Sequence, residues 1–230
     1  QGDAGIQYYD GKIYFFGTNY TVSRWNGTAV ESVWAANTNS AVFSNNMVVI
    51  NGELYFGAEQ PTIESYGAIN VNFREIFKYN STTNTTTQVT DRNANTNFYN
   101  TEIPKYLTEH GGKLFFSGSN SSYNPPNTSD TAELNDRDLI SVASNGTITT
   151  EFDTGDDGIV SDTWSINGSL YFAARLSGNN FYNLYKYNST GNATNITGFT
   201  SGSNSIKDIL AYNGDIYFTS SPASGQGGTL

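Results

Sequence analysis

The chain has 230 residues, of which 37% are hydrophobic and only 14% charged, with a net charge of −10 and no cysteine. Eleven scattered Lys and Arg against 21 acidic residues exclude a nucleic-acid partner, since a phosphate-binding face needs clustered cations. The missing cysteines rule out disulfides, thiolate metal sites and Cys nucleophiles, and no apolar run approaches the ~18 residues expected of a membrane helix.

The first residue is Gln1, which reads as the start of a processed or excised piece. The first expected strand is Ile6-Gln7-Tyr8-Tyr9, followed by Asp10-Gly11-Lys12-Ile13-Tyr14-Phe15. That second line recurs as Asn51-Gly52-Glu53-Leu54-Tyr55-Phe56 and as Gly111-Gly112-Lys113-Leu114-Phe115-Phe116. It returns as Asn167-Gly168-Ser169-Leu170-Tyr171-Phe172 and as Asn213-Gly214-Asp215-Ile216-Tyr217-Phe218. The copies stand roughly 40 to 60 residues apart, a period of repeat architectures. Each begins with residues suited to the left-handed backbone of a tight hairpin turn. The apolar run that follows does not alternate with polar residues, so both faces of that strand are expected to be covered.

A second line follows each of the first four copies: Arg24-Trp25-Asn26-Gly27-Thr28, Lys78-Tyr79-Asn80-Ser81-Thr82, Ser144-Asn145-Gly146-Thr147 and Lys186-Tyr187-Asn188-Ser189-Thr190. Each reads as a strand ending in a turn, with a Thr-rich strand after it. Adding the apolar stretch before each Gly turn gives four strands per repeat, A to D, with no helical periodicity anywhere. The pattern predicts an all-β fold, a β-propeller of four-stranded antiparallel blades. Four full blades are expected near residues 5–36, 41–91, 98–153 and 158–200, with a partial fifth over 205–230.

The order of parts in "MVVINGELYFGAE", a loop, and "REIFKYNSTTNTTTQV" resembles the kelch-type propeller repeat. "REIFKYNST" is also similar to bacterial repeats written ELW-x-x-DGT. The resemblance covers nearly the whole chain and implies the propeller fold. The Gly-Gly doublet of kelch repeats is replaced here by Gly17-Thr18, Gly57-Ala58, Ser117-Gly118, Ala173-Ala174 and Thr219-Ser220. It therefore implies no functional residues.

In such a meander the A–B and C–D turns share one end, and the B–C and D–A connections share the other. Length variation gathers in the B–C connections, and variable loops on a rigid scaffold are where binding sits. Tyr66, Phe73, Phe98, Tyr99, Tyr123 and Phe181 fall there and suit stacking on sugars or anchoring a protein. The alternative reading is that they pack their own loops onto the blades. No cofactor is expected, with calcium as the one alternative: Asp153, Asp156 and Asp157 in a D–A connection could wrap it, although the match to an EF-hand loop is poor and its closing Glu is missing. An acidic turn in water is the favoured reading of these three, and Asp136 and Asp138 beside Arg137 are expected to be solvated. His110 is the only histidine; it precedes a turn and is expected at an exposed blade tip, without a Ser–Asp partner.

Eleven Asn-x-Ser/Thr sequons occur, and Asn26, Asn80, Asn145, Asn167 and Asn188 occupy short turns. They are candidates for N-glycans, although Asn also favours such turns for its backbone geometry. The absence of a catalytic motif and the polar, weakly charged composition point to an extracellular or cell-surface module. It is expected to be non-enzymatic and to serve structure, adhesion or assembly. Protein or glycan would bind at the loop face, and the incomplete last blade offers an edge for self-association. Two alternatives remain open from the sequence. One is a polysaccharide hydrolase or lyase with carboxylates at the channel mouth. The other is a lectin, against which the unequal loops argue.

Overall fold

The structure, a computed structural model, describes residues 5–17, 21–35, 43–59, 64–66, 69–71, 74–90, 104–118, 137–201 and 205–221. Those residues contain strands and turns and no helix. The first sheet is β1 (Ile6–Tyr9), β2 (Lys12–Gly17), β3 (Thr21–Trp25) and β4 (Val30–Ala35) in that order. The second is β5 (Phe43–Ile50), β6 (Glu53–Glu59), β9 (Arg74–Asn80) and β10 (Thr85–Gln88). Between β6 and β9 stands a small hairpin of β7 (Glu64–Tyr66) and β8 (Ile69–Val71). The third sheet is β11 (Lys105–His110), β12 (Lys113–Gly118), β13 (Asp138–Val142) and β14 (Ile148–Phe152). The fourth is β15 (Ile159–Ile166), β16 (Ser169–Arg175), β17 (Asn183–Ser189) and β18 (Asn192–Asn195). A fifth has two described strands, β19 (Ser205–Tyr212) and β20 (Asp215–Ser221). Every pairing within these sheets is antiparallel.

The turns fold as their residues dictate. Asp10, Asn51, Asn167 and Asn213 have φ of 48°, 50°, 49° and 52°, and each precedes a glycine that also has positive φ. Two successive left-handed residues make the hairpin turn whose twist matches the strands. Side chains of the C–D turns close on their own backbone. Asn26 Oδ1 accepts from the Thr28 and Ala29 amides, each at 2.9 Å, and Asn80 Oδ1 accepts from Thr82 and Thr83.

Two compact units divide the chain: Asp3–Leu107 with Ser121–Ser129, and Thr108–Asn120 with Asp130–Leu230 and Gln1–Gly2. In the first unit the first and second sheets enclose a core in which Leu54 and Phe56 of β6 meet Tyr14, Val22 and Trp34. Tyr55, between them in sequence, is buried on the other face of β6. In the other unit Leu170 and Phe172 join a core with Phe115, Leu139 and Val160, while Ala173 and Tyr171 face a second core with Leu184, Ile206 and Ile209. Both faces of β6 and β16 are thus covered, as their unbroken apolar runs require, whereas Ile13 of β2 and Tyr217 of β20 are exposed. Tyr55 and Tyr171 occupy the same register, opposite Lys78 and Lys186.

The two cores repeat in detail. In the first unit Trp34 meets Phe56 and Phe77 at 5.9 and 5.4 Å, with Phe56 stacked on Phe77 at 19°. In the other, Phe152 meets Phe172 and Tyr185 at 5.1 and 5.4 Å, with Phe172 stacked on Tyr185 at 15°. A second aromatic chain runs Tyr9–Tyr14–Tyr79 in one unit and His110–Phe115–Tyr187 in the other, with neighbouring rings 5.4 to 5.7 Å and 6.0 and 5.4 Å apart. The repeating entity is therefore a couple of sheets. The sequence carries this alternation: the residue before the A–B turn is Tyr9, His110 or Tyr212 in the first, third and fifth sheets, but Ile50 or Ile166 in the second and fourth. The first and third sheets close their C–D turn with Asn-Gly-Thr, the second and fourth with Tyr-Asn-Ser-Thr.

Candidate functional site

The loop end is described best at the fourth sheet. Arg175, at the end of β16, donates through Nη1 to the Asn179 carbonyl at 3.1 Å and through Nη2 to the Asp157 carbonyl at 2.9 Å. One guanidinium thus ties the B–C connection of the fourth sheet to the D–A connection before it. Ser177 N–H reinforces this by donating to the Thr154 carbonyl at 2.8 Å. These contacts bring the half-buried Phe181 and the acidic segment Asp153–Asp157 to one end of the unit. The segment turns tightly on Gly158, whose amide donates to the Gly155 carbonyl at 2.6 Å. A Cβ at Gly158 would overlap the side chain and carbonyl oxygen of Thr154. Gly158→Ala is expected to cost about 1–3 kcal/mol, read as a lowered denaturant midpoint at unchanged slope.

The three aspartates do not converge. Asp153 Oδ1 accepts the Gly155 amide at 2.8 Å, closing its own turn, while Asp156 and Asp157 are exposed. Among the described residues, no three His, Asp or Glu side chains gather so as to hold a metal ion. Of the other loop aromatics, Tyr66 ends β7, whereas Phe73, Phe98, Tyr99 and Tyr123 lie outside the described residues. The hairpin carrying Tyr66 was absent from the sequence reading. Its signal was present in Glu64-Ser65-Tyr66-Gly67-Ala68-Ile69-Asn70-Val71, two short β-prone runs about a Gly-containing pair.

At the turn end, Asn145, Asn167 and Asn188 are exposed, and Asn26 and Asn80 half-buried. Asn26 Nδ2, the atom a glycan would need, donates to Glu31 at 2.6 Å. His110 departs from expectation. Its ring is half-buried against Phe115, and Nδ1 stands 3.2 Å from Ser165 Oγ. It is one link of an aromatic chain, at the place Tyr9 occupies in the first unit. Thr108 and Thr163 meet beside it at 2.8 Å, a polar seam between strands β11 and β15.

Asp138 also corrects the sequence reading, since it is buried, as is Arg137 beside it; Asp136 lies outside the described residues. Asp138 Oδ1 accepts the Thr154 amide at 2.8 Å and its hydroxyl at 3.1 Å. Arg137 Nε donates to Ser117 Oγ at 3.0 Å, and Nη2 to the Ser117 carbonyl at 3.1 Å. The position recurs. Glu75, at the start of β9, accepts the Thr90 hydroxyl, and Thr90 Oγ1 accepts the Ile76 amide at 2.9 Å. Asn183 accepts Thr197 Oγ1 at 2.8 Å, and Thr197 Oγ1 accepts the Leu184 amide at 3.1 Å. An amide serves at Asn183 where carboxylates serve elsewhere. The position therefore requires a hydrogen-bond acceptor that anchors the end of strand D to the start of strand C. The signal was legible as Arg-Glu-Ile, Arg-Asp-Leu and Tyr-Asn-Leu at equivalent places.

The most heavily partnered acid is Glu151, fully buried on β14. It sits in a bulge, opposite no residue of β13. Its oxygens accept Ser141, Tyr187 and Thr190 hydroxyls, each at 2.6 Å, and Lys113 Nζ at 3.3 Å. Burial alone would raise its pKa, but the four donors outweigh burial and hold it below the usual carboxylate range. Tyr187 is pushed up to about 12, first by burial and then by donating to this carboxylate. In the first unit the equivalent Tyr79 hydroxyl plays the opposite part, accepting Arg24 Nη1 at 2.6 Å and donating to Asn84 at 2.8 Å. Arg24 is itself paired with Glu31 at 2.7 Å. The neighbouring Tyr14 hydroxyl is buried without a hydrogen bond, and burial pushes its pKa up to about 12.

No family model and no curated protein matches the chain. Solved structures do. An oligogalacturonate lyase from Vibrio parahaemolyticus superposes with a TM-score of 0.53 over 95% of this chain at 8% identity. A putative gluconolactonase gives a TM-score of 0.46 over 93% of this chain and 68% of its own, at 14% identity. The chain spans 61% of the length of the lyase. With the four-stranded meanders, the likeness shows the fold: a β-propeller, with four four-stranded sheets and two strands of a fifth among the described residues.

Proposed function

We propose that this propeller is a non-enzymatic surface module, extracellular or held at the cell surface, that works by binding and assembly. One observation carries the reading: each of the buried acids of the described residues is spent on structure, Glu75 held by Thr90, Asp138 by Thr154, and Glu151 by Ser141, Tyr187 and Thr190. The buried acids Glu75, Asp138 and Glu151 are engaged in holding strands and sheets together, which leaves them unsuited to proton transfer. The weakly charged surface and the sequons in exposed turns fit an exported glycoprotein, with the loop end near Phe181 as the place for protein or glycan.

The competing reading takes its substrate from the lyase that shares the fold: elimination on an oligogalacturonate by side chains of the loop end. Incubating the protein with oligogalacturonates and following the unsaturated uronate product by its ultraviolet absorbance separates the two. No product, together with recovery of the native protein in the cell-envelope fraction at a mass above that of the bare chain, is the expected result. Steady product formation overturns the non-enzymatic reading.

A further inference from the structure

The Asn-x-Ser/Thr triplets become unequal once the chain is folded. Such a triplet offers an acceptor amide on Asn and a hydroxyl two residues on, and a folded acceptor needs both open for an oligosaccharide to be attached. At Asn26, Asn84, Asn188 and Asn195 the fold has already engaged one or both. Asn26 Nδ2 donates to Glu31 at 2.6 Å, and the Thr28 hydroxyl donates back to Asn26 Oδ1 at 2.9 Å. Thr86, the hydroxyl of the Asn84 triplet, donates to the Val33 carbonyl at 3.1 Å. Asn188 Nδ2 donates to Thr194 at 2.9 Å, while Thr190 donates to the buried carboxylate of Glu151 at 2.6 Å. Thr197, of the Asn195 triplet, donates to Asn183 at 2.8 Å and accepts the Leu184 amide at 3.1 Å.

Asn145 and Asn167 differ. Asn145 is exposed in the C–D turn of the third sheet. Its Oδ1 accepts the Thr147 amide at 3.0 Å, which orients the side chain and uses neither Nδ2 nor the exposed Thr147 hydroxyl. Asn167 is exposed in the A–B turn of the fourth sheet, with φ of 49°. Asn51 and Asn213 make the same left-handed turn, at 50° and 52°, but are followed by Gly52-Glu53 and Gly214-Asp215. Ser169 is therefore no requirement of the turn. Among the described residues, neither the Asn167 side chain nor the Ser169 hydroxyl has a hydrogen-bond partner.

We propose that Asn145 and Asn167 of the folded protein accept N-linked oligosaccharides, and that the four engaged triplets stay bare. In the transfer, Nδ2 attacks the anomeric carbon of a lipid-diphosphate-linked oligosaccharide. The Nδ2–C1 bond forms as the bond from C1 to the diphosphate oxygen breaks. The lipid diphosphate leaves with that electron pair, and Nδ2 gives up one proton. Both positions lie in turns at one end of a single unit, and Phe181 and the Arg175 clasp lie at its loop end. The sugars screen the turn end and leave the loop end open for binding. This rests on the surface-module reading but fails separately from it: an unmodified protein in the cell envelope that turns over no polysaccharide sinks only the glycans.

The experiment maps glycopeptides of the native full chain by electron-transfer mass spectrometry, which keeps each sugar on its residue. Oligosaccharide is expected on Asn145 and Asn167, and none on Asn26, Asn84, Asn188 or Asn195. Made in the same cells, Thr147→Ala and Ser169→Ala are each expected to lose the sugar at the matching asparagine and keep the other. Thr147→Ser keeps both. Because neither hydroxyl is bonded in the fold, both alanine variants are expected to unfold at the wild-type urea midpoint, so that a lost sugar is not a lost fold. Asn145 or Asn167 found bare, or sugar on the engaged triplets, overturns the proposal.

Discussion

Glu151→Ala is expected to lower stability by about 3–4 kcal/mol, because it leaves the donors around a buried carboxylate without an acceptor. The Ser141 hydroxyl is buried and the Tyr187 hydroxyl lies between two sheets, so water replaces the lost acceptor poorly at both. Lys113 is half exposed and turns to solvent at little cost, which is why the loss stays below that of a wholly buried ion pair. For a domain of this size the loss corresponds to a fall in Tm of about 10 °C. The pH dependence has a definite sign. A carboxylate whose folded pKa is depressed stabilises fully above its unfolded value, about 4.3 for Glu, and the contribution is lost as pH falls through the folded value. Urea unfolding of wild type and Glu151→Gln, compared between pH 6 and pH 3, is expected to show a gap that narrows on acidification. A gap that stays constant would mean that the charge of Glu151 contributes nothing.

Phe172→Ala and Phe56→Ala are each expected to cost about 3–5 kcal/mol, the usual range for emptying a core phenylalanine site. Phe172 is fully buried, stacked on Tyr185 at 5.3 Å and met by Phe152 at 5.1 Å. Phe56 holds the same place against Phe77 and Trp34, at 5.9 Å from each. Since the trios are counterparts, the two losses are expected to agree within about 1 kcal/mol, a modest context effect for equivalent sites. Calorimetry of both variants checks this, and shows which transition each one moves if the two units melt apart. Tyr171→Ala, on the half-buried face of the same strand, is expected to cost less than either.

The repeated turn-and-strand lines carried most of the fold. A strand such as Glu53–Glu59 needs cover on both sides to justify Leu54, Tyr55 and Phe56 in a row, and only stacked sheets supply it. The sequence was weaker wherever a polar residue had a distant partner. Asp138 reads as solvated because it stands beside Arg137 in the chain, yet it is satisfied by Thr154, 16 positions away. His110 read as an exposed tip because it precedes a turn, but its surroundings are set by β15, 55 residues on. The site was legible only as a face. Phe181 and the Asp153–Asp157 segment were assigned to the same end, but the Arg175 clasp that joins them depends on two backbone carbonyls, which carry no signature in sequence.

The couple of sheets has a consequence for how such a chain can change in length. Duplicating or excising two sheets keeps each pair such as Tyr9 and Tyr14 beside a sheet that supplies a ring such as Tyr79. Losing one sheet sets the pair against a neighbour with no matching ring, as the third sheet with Val142 in that place would be.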